Sequence, residues 1–244
     1  MAGVLQESYE VYREKLSLAL IFSIPFIIAF AIPLLAPLPT YITAGAIFLR
    51  SASVFVNGNI SLLGLVVITI STIFSLLFLS FAFVLISLLV KSKRTHSKVG
   101  LRAFKNIETY IGRVFAIFLL YTIAIVFANI IGYFIGISAL LTGIVGFFLF
   151  ALLFYAPSAV VVDDKRLLRA VRDSARLVVH EPQYFLMWLV LITVLISVVD
   201  AVCIFIFSNW AVYVVLVLNS LFIVPYFVIF QAEAYMDRFR LLRH

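Results

Sequence analysis

The sequence has few residues of the kinds that build catalytic or metal centres. It contains one cysteine, Cys203, and three histidines. A single cysteine excludes a disulfide within the chain and a cysteine-rich metal site. Zinc-protease, nucleophile-elbow and phosphate-binding-loop motifs are also missing from the sequence. His180 and Glu181 are neighbours, but adjacent side chains on a helix point about 100° apart and do not converge on one ligand. We therefore predict a protein that is not an enzyme and that holds no metal or cofactor.

Charged residues are also scarce, at 12% of the chain, while 65% of the residues are hydrophobic and the mean hydropathy is +1.23. These values lie well outside the composition of soluble domains. A bilayer core about 30 Å thick requires roughly 20 apolar residues for each helical span. The composition therefore predicts an all-α, polytopic membrane protein.

Six apolar stretches are long enough to cross a bilayer, and only short segments separate most of them. We predict a single membrane domain over residues 1–244, with spans at approximately 16–35, 60–90, 107–136, 138–162, 184–207 and 210–235.

Positive charge is confined to alternate segments between these spans. The loop after span one carries only Arg50, and the turns near Gly136 and Asn209 carry no charge. Cytoplasmic loops retain Lys and Arg, whereas exported loops lack them. We therefore predict a multi-pass protein of the cell membrane with both termini in the cytoplasm. Seventeen of the eighteen Lys and Arg residues then lie on the cytoplasmic side: Arg13, Lys15, Lys91, Lys93, Arg94, Lys98, Arg102, Lys105, Arg113, Lys165, Arg166, Arg169, Arg172, Arg176, Arg238, Arg240 and Arg243.

The net charge of +7 and the pI near 9.6 suit an anionic partner. Nucleic acid is one alternative, because clustered Lys and Arg displace counterions from phosphates. Positive-inside topology explains the same excess, and basic residues beside a membrane bind anionic headgroups with about 1 kcal/mol each. We favour lipid headgroups, with a cytoplasmic or membrane protein as a further partner, at Lys91, Lys93, Arg94, Lys98, Arg166, Arg169, Arg172 and Arg176.

An amphipathic stretch precedes spans one, three and five, at residues 4–15, 101–113 and 165–179. In the third stretch one helical face carries Leu167, Leu168, Val171, Ser174, Ala175 and Val178, and the other carries Lys165, Arg166, Arg169, Arg172, Asp173 and Arg176. This pattern is typical of a helix that lies in the plane of a membrane interface. We predict that Asp163 or Asp164 caps its start and that Pro182 marks its end.

The segment APSAVVVDDKRLLRAVRDSARLVVHEPQYF, residues 156–185, combines an apolar run containing Pro157, an acidic turn, and a helix with Ala170 and Ser174 four residues apart. With the opening LQESYEVYREKLSLAL, these features resemble the membrane domain associated with bacterial glycerophosphodiester phosphodiesterases and its free-standing archaeal relatives. In the fused proteins the phosphodiesterase chemistry belongs to a separate soluble domain. The resemblance therefore implies a membrane architecture without a catalytic residue.

Polar residues inside the predicted spans form a candidate intramembrane site. Asp200 lies in the outer third of span five, where an ionised carboxylate is costly unless it is paired or wetted. We predict Asn129 and the external Arg50 as its partners. The Asp200 carboxyl group either joins helices through a hydrogen bond or forms a proton or cation site on a translocation path. Asn219 in span six either bonds between helices or extends a polar track toward Gln231 and Glu233.

Gly132 and Gly136 form a small-x-x-x-small pattern at the end of span three. Such patterns are typical of close helix packing in membranes, and we predict that spans three and four pack closely at these residues.

Together these features predict a non-catalytic integral membrane subunit of a transport or translocation system, which docks a partner or a polyanion through basic cytoplasmic helices. The alternative is a pore-less scaffold or lipid-organising protein. A conjugation-type DNA channel subunit and a membrane-embedded enzyme are more distant alternatives.

Overall fold

The computed structural model describes residues 2–35, 62–94 and 106–241. Within these ranges the chain is helical and contains no strand, which confirms the all-α prediction. The helices are α1 (Ala2–Glu14), α2 (Leu16–Leu35), α3 (Leu62–Arg94), α4 (Ile107–Ile135), α5 (Ser138–Leu153), α6 (Ala156–Val162), α7 (Leu167–His180), α8 (Pro182–Phe207), α9 (Ala211–Leu218) and α10 (Val224–Leu241).

Five segments of the described chain are long and apolar enough to cross a membrane: Leu62–Ser92, Ile107–Ile135, Ser138–Val162, Pro182–Phe207 and Ala211–Asp237. A sixth is present if α1 and α2 are counted together as one bent span. The described helices are therefore compatible with a multi-pass membrane protein, and they include five or six candidate spans.

The bend between α1 and α2 follows a change in composition at Lys15. Helix α1 alternates charged and apolar residues, whereas α2 has no charged residue in its 20 positions. The two helices meet at 91°. Helix α1 packs against α10 and buries Val4, Ser8 and Val11 on that side. The amphipathic stretch predicted at 4–15 is thus a separate helix that turns sharply away from the first apolar helix.

Helix α3 lies at the centre of the bundle and α8 at its edge. The bundle buries 72% of an apolar 18-residue segment of α3, but only 6% of the corresponding segment of α8. Nine consecutive residues, 82–90, are buried, and α2, α4, α6 and α10 all pack against α3. The bundle is therefore most closely packed at the end where Lys91 lies. That end, which also carries Arg113, Lys165 and α7, is called the basic end below.

The fourth predicted span is divided into α5 and α6 by a break at Phe154 and Tyr155. Pro157 lies in the first turn of α6, where its missing N–H is tolerated. Side chains from elsewhere bind the backbone groups at this break. The Gln231 side chain donates to the Phe154 carbonyl, and the Tyr155 N–H donates to Ser174 Oγ over 2.9 Å. The break thereby joins α10 and α7 to the fourth span.

The sixth span contains a π-helical turn at Asn219–Ile223, between α9 and α10. Pro225 follows two residues later and has no N–H to continue the α-helical hydrogen bonding. A π turn absorbs such a local mismatch by widening one turn. It also turns the Asn219 side chain toward α8, as its contact below shows.

Only the second half of the amphipathic stretch predicted at 101–113 lies within the described residues. Ile107 to Arg113 form the first turns of α4 and continue into the span without a break, because the apolar pattern of α4 begins at Ile107 and no proline interrupts it. Residues 101–105 lie outside the described ranges, as do Arg50 and Lys98.

Candidate functional site

Helix α7 packs against the bundle with one face. Ala170, Ser174 and Val178 are buried there, and the helix contacts α4, α5, α6 and α8. Leu167, Val171 and Leu177 are partly buried against the same core. Ser174 Oγ accepts the Tyr155 N–H, so α7 is fixed at the break in the fourth span. The sequence had placed Leu168 with Ser174 and Val178 on one face, but Leu168 is 83% exposed. The surface that packs against protein is therefore displaced from the predicted apolar face, toward Ala170 and Leu177.

The arginines of α7 point away from the bundle. Arg166, Arg169, Arg172 and Arg176 are all exposed, and none forms an ion pair with another residue in the described ranges. The one acidic residue of the helix, Asp173, is bound to Lys165 over 2.9 Å. Its charge is therefore compensated at the start of the helix, and the arginines present a positive surface at the basic end.

The acidic turn before α7 is an ion-pair cluster that ties helices together. Lys165 Nζ lies 3.1 Å from Asp163 Oδ2 and donates to the Tyr235 hydroxyl over 2.9 Å. The Tyr235 hydroxyl in turn donates to Asp163 Oδ2 over 2.8 Å. Asp164 pairs with Arg113 at 3.0 Å. The cluster links α4, α10 and the turn that leads into α7.

These contacts correct the prediction that Asp163 or Asp164 caps α7. The N-cap of α7 is Arg166, in extended conformation and without a side-chain cap bond. Asp164 has a φ of 53°, in the left-handed region that Asp tolerates better than most residues, and it reverses the chain between α6 and α7. Asp163 instead accepts from the Tyr235 hydroxyl and pairs with Lys165 in the same turn, and Asp164 pairs with Arg113 of α4.

The other basic residues predicted as headgroup contacts have different positions. Lys91 Nζ donates to the Val161 carbonyl over 2.8 Å and lies 5.7 Å from the centre of the Tyr110 ring. Lys91 therefore joins α3 to α4 and α6 within the bundle. The side chains of Lys93 and Arg94 lie outside the described part of the structure, with Lys98.

Asp200 and Asn219 form a pair between the fifth and sixth spans. The Asn219 amide donates to Asp200 Oδ1 over 3.1 Å. Asn219 is buried in the π turn, and its own side-chain oxygen accepts no hydrogen bond within the described chain. Arg50, the predicted cation, lies outside the described residues.

The prediction that Asn129 pairs with Asp200 is wrong. The Asn129 amide donates to Thr142 Oγ1 over 3.2 Å, which joins α4 to α5. Thr142 was not among the predicted residues. The Asn129–Thr142 pair and the Asp200–Asn219 pair each span one hairpin. The two members of a pair lie nearly equally far from the turn: Asn129 is seven residues before Gly136 and Thr142 six after it. This spacing is the sequence signal that identifies both pairs.

The predicted polar track from Asn219 to Gln231 and Glu233 is not continuous. Twelve residues of helix separate Asn219 from Gln231, a rise of about 18 Å. Gln231 binds Phe154 at the basic end, whereas Asn219 binds Asp200. Glu233 is buried near Gln231. Asp200 and Asn219 therefore form a local pair rather than the start of a chain of polar groups.

The two predicted packing glycines have different structural roles. A Cβ on Gly132 would lie 2.6 Å from the Ser138 Cα, so glycine is needed where α4 meets the start of α5. Gly136 has a φ of +79° and ends α4 in left-handed conformation. Gly136 therefore serves the turn, and only Gly132 serves close helix packing.

Comparison with protein-family models, with curated proteins and with solved structures finds no significant match. Among the described residues, no group of three or more His, Cys, Asp and Glu side chains could hold a metal ion. Among the described residues, the exposed arginines of α7 form the surface best suited to bind an anionic group, and the contacts of Ser174 and Lys165 hold this helix in place.

Proposed function

We propose that this chain is a non-catalytic integral membrane subunit of a transport or translocation system, and that it docks an anionic partner through α7. In this proposal the protein crosses the cell membrane six times, since α2 has the 20 residues that a span requires. Both termini and the basic end face the cytoplasm, in keeping with the positive-inside rule.

The observation that carries the docking proposal is the contrast between the two sides of α7. Ser174 fixes the packed side of the helix, whereas four arginines on its exposed sides have no ionic partner in the described chain. Asp173, which lies between Arg166 and Arg169 around the helix, is paired with Lys165. A guanidinium group is a planar fork of donors that binds carboxylate or phosphate through two parallel hydrogen bonds. The resemblance to the phosphodiesterase-associated membrane domain also favours a membrane unit that acts without its own catalytic centre.

A pore-less scaffold or lipid-organising protein is the second candidate, and one observation favours it. Residues 82–90 of the central helix are covered by neighbouring helices over their whole length. Side chains of the described residues therefore fill the centre of the basic end. If the protein belongs to a translocation system, we expect any path to run outside this centre, for example along a partner subunit.

The proposal can be tested by comparing what co-purifies with three forms of the full chain. The tagged protein is gently extracted from its host membrane as wild type, as the Arg166→Gln, Arg169→Gln, Arg176→Gln triple variant, and as the matched triple Lys variant. A docked partner should be retained by wild type and by the Lys variant, and reduced about tenfold or more in the Gln variant. Identical protein recoveries from all three forms would contradict docking and favour the lipid-organising scaffold.

A further inference from the structure

Helix α7 leaves part of its apolar surface uncovered by protein. Leu168 is 83% exposed and Val179 is 70% exposed. They lie eleven residues apart, which brings them to within about 20° of each other around the helix. Ala175, which is half-buried, lies about 20° from Leu168 and about 40° from Val179 around the helix. These three residues form an apolar strip, called the outer strip below.

The order of surfaces around α7 is set by helical geometry. Taking buried Ser174 as the origin, the outer strip lies about 100° to 140° away, and Arg172 follows at about 160°. Arg176 and Arg169 lie farther on, at about 200° and 220°. Around the helix, the side that packs against protein is therefore followed by the outer strip, then by Arg172, and then by the surface that carries Arg176 and Arg169.

This order matches a helix at a membrane interface. An exposed leucine in water forgoes roughly 1.5–3 kcal/mol of favourable transfer that contact with acyl chains supplies. Helix α8 begins at Pro182, two residues after α7 ends, and it also exposes apolar side chains, including Leu186 and Val190. Around α7, Arg172 lies at the polar edge of the outer strip.

We propose that Arg172, with Leu168 and Val179, binds the phosphate and upper acyl region of an anionic membrane phospholipid. This inference rests on the proposed function, in which the arginines of α7 dock a partner. It assigns Arg172 to the lipid and leaves Arg166, Arg169 and Arg176 to contact the partner. A nucleic acid or an acidic peptide would neutralise the arginines but leave Leu168 and Val179 in water. The uncovered apolar strip is therefore the observation that selects a lipid for Arg172.

The lipid site can be tested by native mass spectrometry of the detergent-solubilised full chain, titrated with phosphatidylglycerol or phosphatidylcholine. Wild type should bind phosphatidylglycerol more tightly. Arg172→Gln should weaken that binding about fivefold, which corresponds to about 1 kcal/mol for one basic residue. Arg172→Lys should retain most of it, and the matched control Arg169→Gln should change it by less than about twofold. Equal losses in Arg169→Gln and Arg172→Gln, or no preference for phosphatidylglycerol, would overturn the assignment.

The depth of the helix provides a second test that does not depend on lipid affinity. In a Cys203→Ala background, nitroxide labels are attached through Leu168→Cys, Val179→Cys and Arg169→Cys, and the protein is placed in nanodiscs. Labels at 168 and 179 should collide more with oxygen, which enters hydrocarbon, and the label at 169 more with a nickel chelate that remains in water. A water-exposed label at 168 would overturn the lipid site. Docking would then still be judged by partner recovery with the triple Gln variant.

Discussion

The Tyr235 hydroxyl donates to the Asp163 carboxylate over 2.8 Å, and through this bond the last helix holds the turn that leads into α7. Lys165 donates to the same hydroxyl and also pairs with Asp173 of α7. The orientation of the arginine surface therefore depends on a few polar contacts at the basic end.

Removing the Tyr235 hydroxyl tests how strongly α10 holds the turn that leads into α7. Tyr235→Phe retains the ring but deprives Asp163 of a donor, and hydrogen bonds to charged groups contribute about 1.5–3 kcal/mol. We expect the free energy of unfolding to fall by about 1.5 kcal/mol, measured by thermal unfolding of the full chain in detergent. Tyr213→Phe is the matched control, because Tyr213 is exposed. Equal stability of the two variants would show that the cluster does not hold the turn.

Loss of the Ser174 hydroxyl should loosen α7. The buried Tyr155 N–H would lose its acceptor in Ser174→Ala, at a cost of about 1–3 kcal/mol. We also expect faster tryptic cleavage within α7, after Arg169, Arg172 or Arg176. Ser17→Ala, at an exposed position in α2, is the control for a general effect of serine removal. Unchanged cleavage of Ser174→Ala would argue against Ser174 as the anchor of α7.

Asp200 variants distinguish a packing role from a transport role. Asp200→Ala leaves the Asn219 amide without an acceptor, and polar contacts between membrane helices contribute about 0.6 kcal/mol on average and up to about 1.7. Asp200→Asn keeps an acceptor oxygen, so its thermal stability should stay closer to wild type. If Asp200 also serves a proton path, Asp200→Asn should abolish proton flux into liposomes containing the protein while the fold remains stable. Loss of stability in both variants, with no flux in wild type, would restrict Asp200 to helix packing.

Gly132 and Gly143 provide a matched test of close packing in one hairpin. An alanine Cβ at 132 would meet the Ser138 backbone at 2.6 Å, whereas one at 143 would meet nothing within 4 Å. Gly132→Ala should lower the free energy of unfolding by about 1–3 kcal/mol, as overpacking does. Gly143→Ala should be neutral or stabilising by up to about 1 kcal/mol, because alanine favours helix. The reverse order would contradict the close approach of α4 and α5.

The helices could be predicted from the sequence because hydropathy is a local property. Apolar runs predicted α4 to within a residue of its observed end, and the charged stretch before Leu16 predicted α1 as a separate segment. The basic residues before α8 likewise predicted α7 as an amphipathic helix. Each of these features depends on neighbours in sequence rather than on packing.

The polar contacts could not be predicted from membrane depth alone. A pair between Asn129 and Asp200 was predicted, but the depth of a residue in its span does not specify which helices are adjacent. Helices joined by a short turn are usually neighbours, and both Asn129 and Asp200 bind across their own hairpins. The roles of Asp163 and Lys91 depended in the same way on helices that are distant in sequence, α10 and α6.

The most direct test of docking is photo-crosslinking from two positions of α7 in intact host membranes. Benzoylphenylalanine replaces Arg169 in one form and Arg172 in another, with Tyr213 at the opposite end of the bundle as the control position. Position 169 should form an adduct with one cytoplasmic protein, and this adduct should decrease when Arg166 and Arg176 are changed to Gln, while position 172 should crosslink mainly to lipid. Protein adducts at 169 no more abundant than at 213 would contradict the proposed docking role of α7.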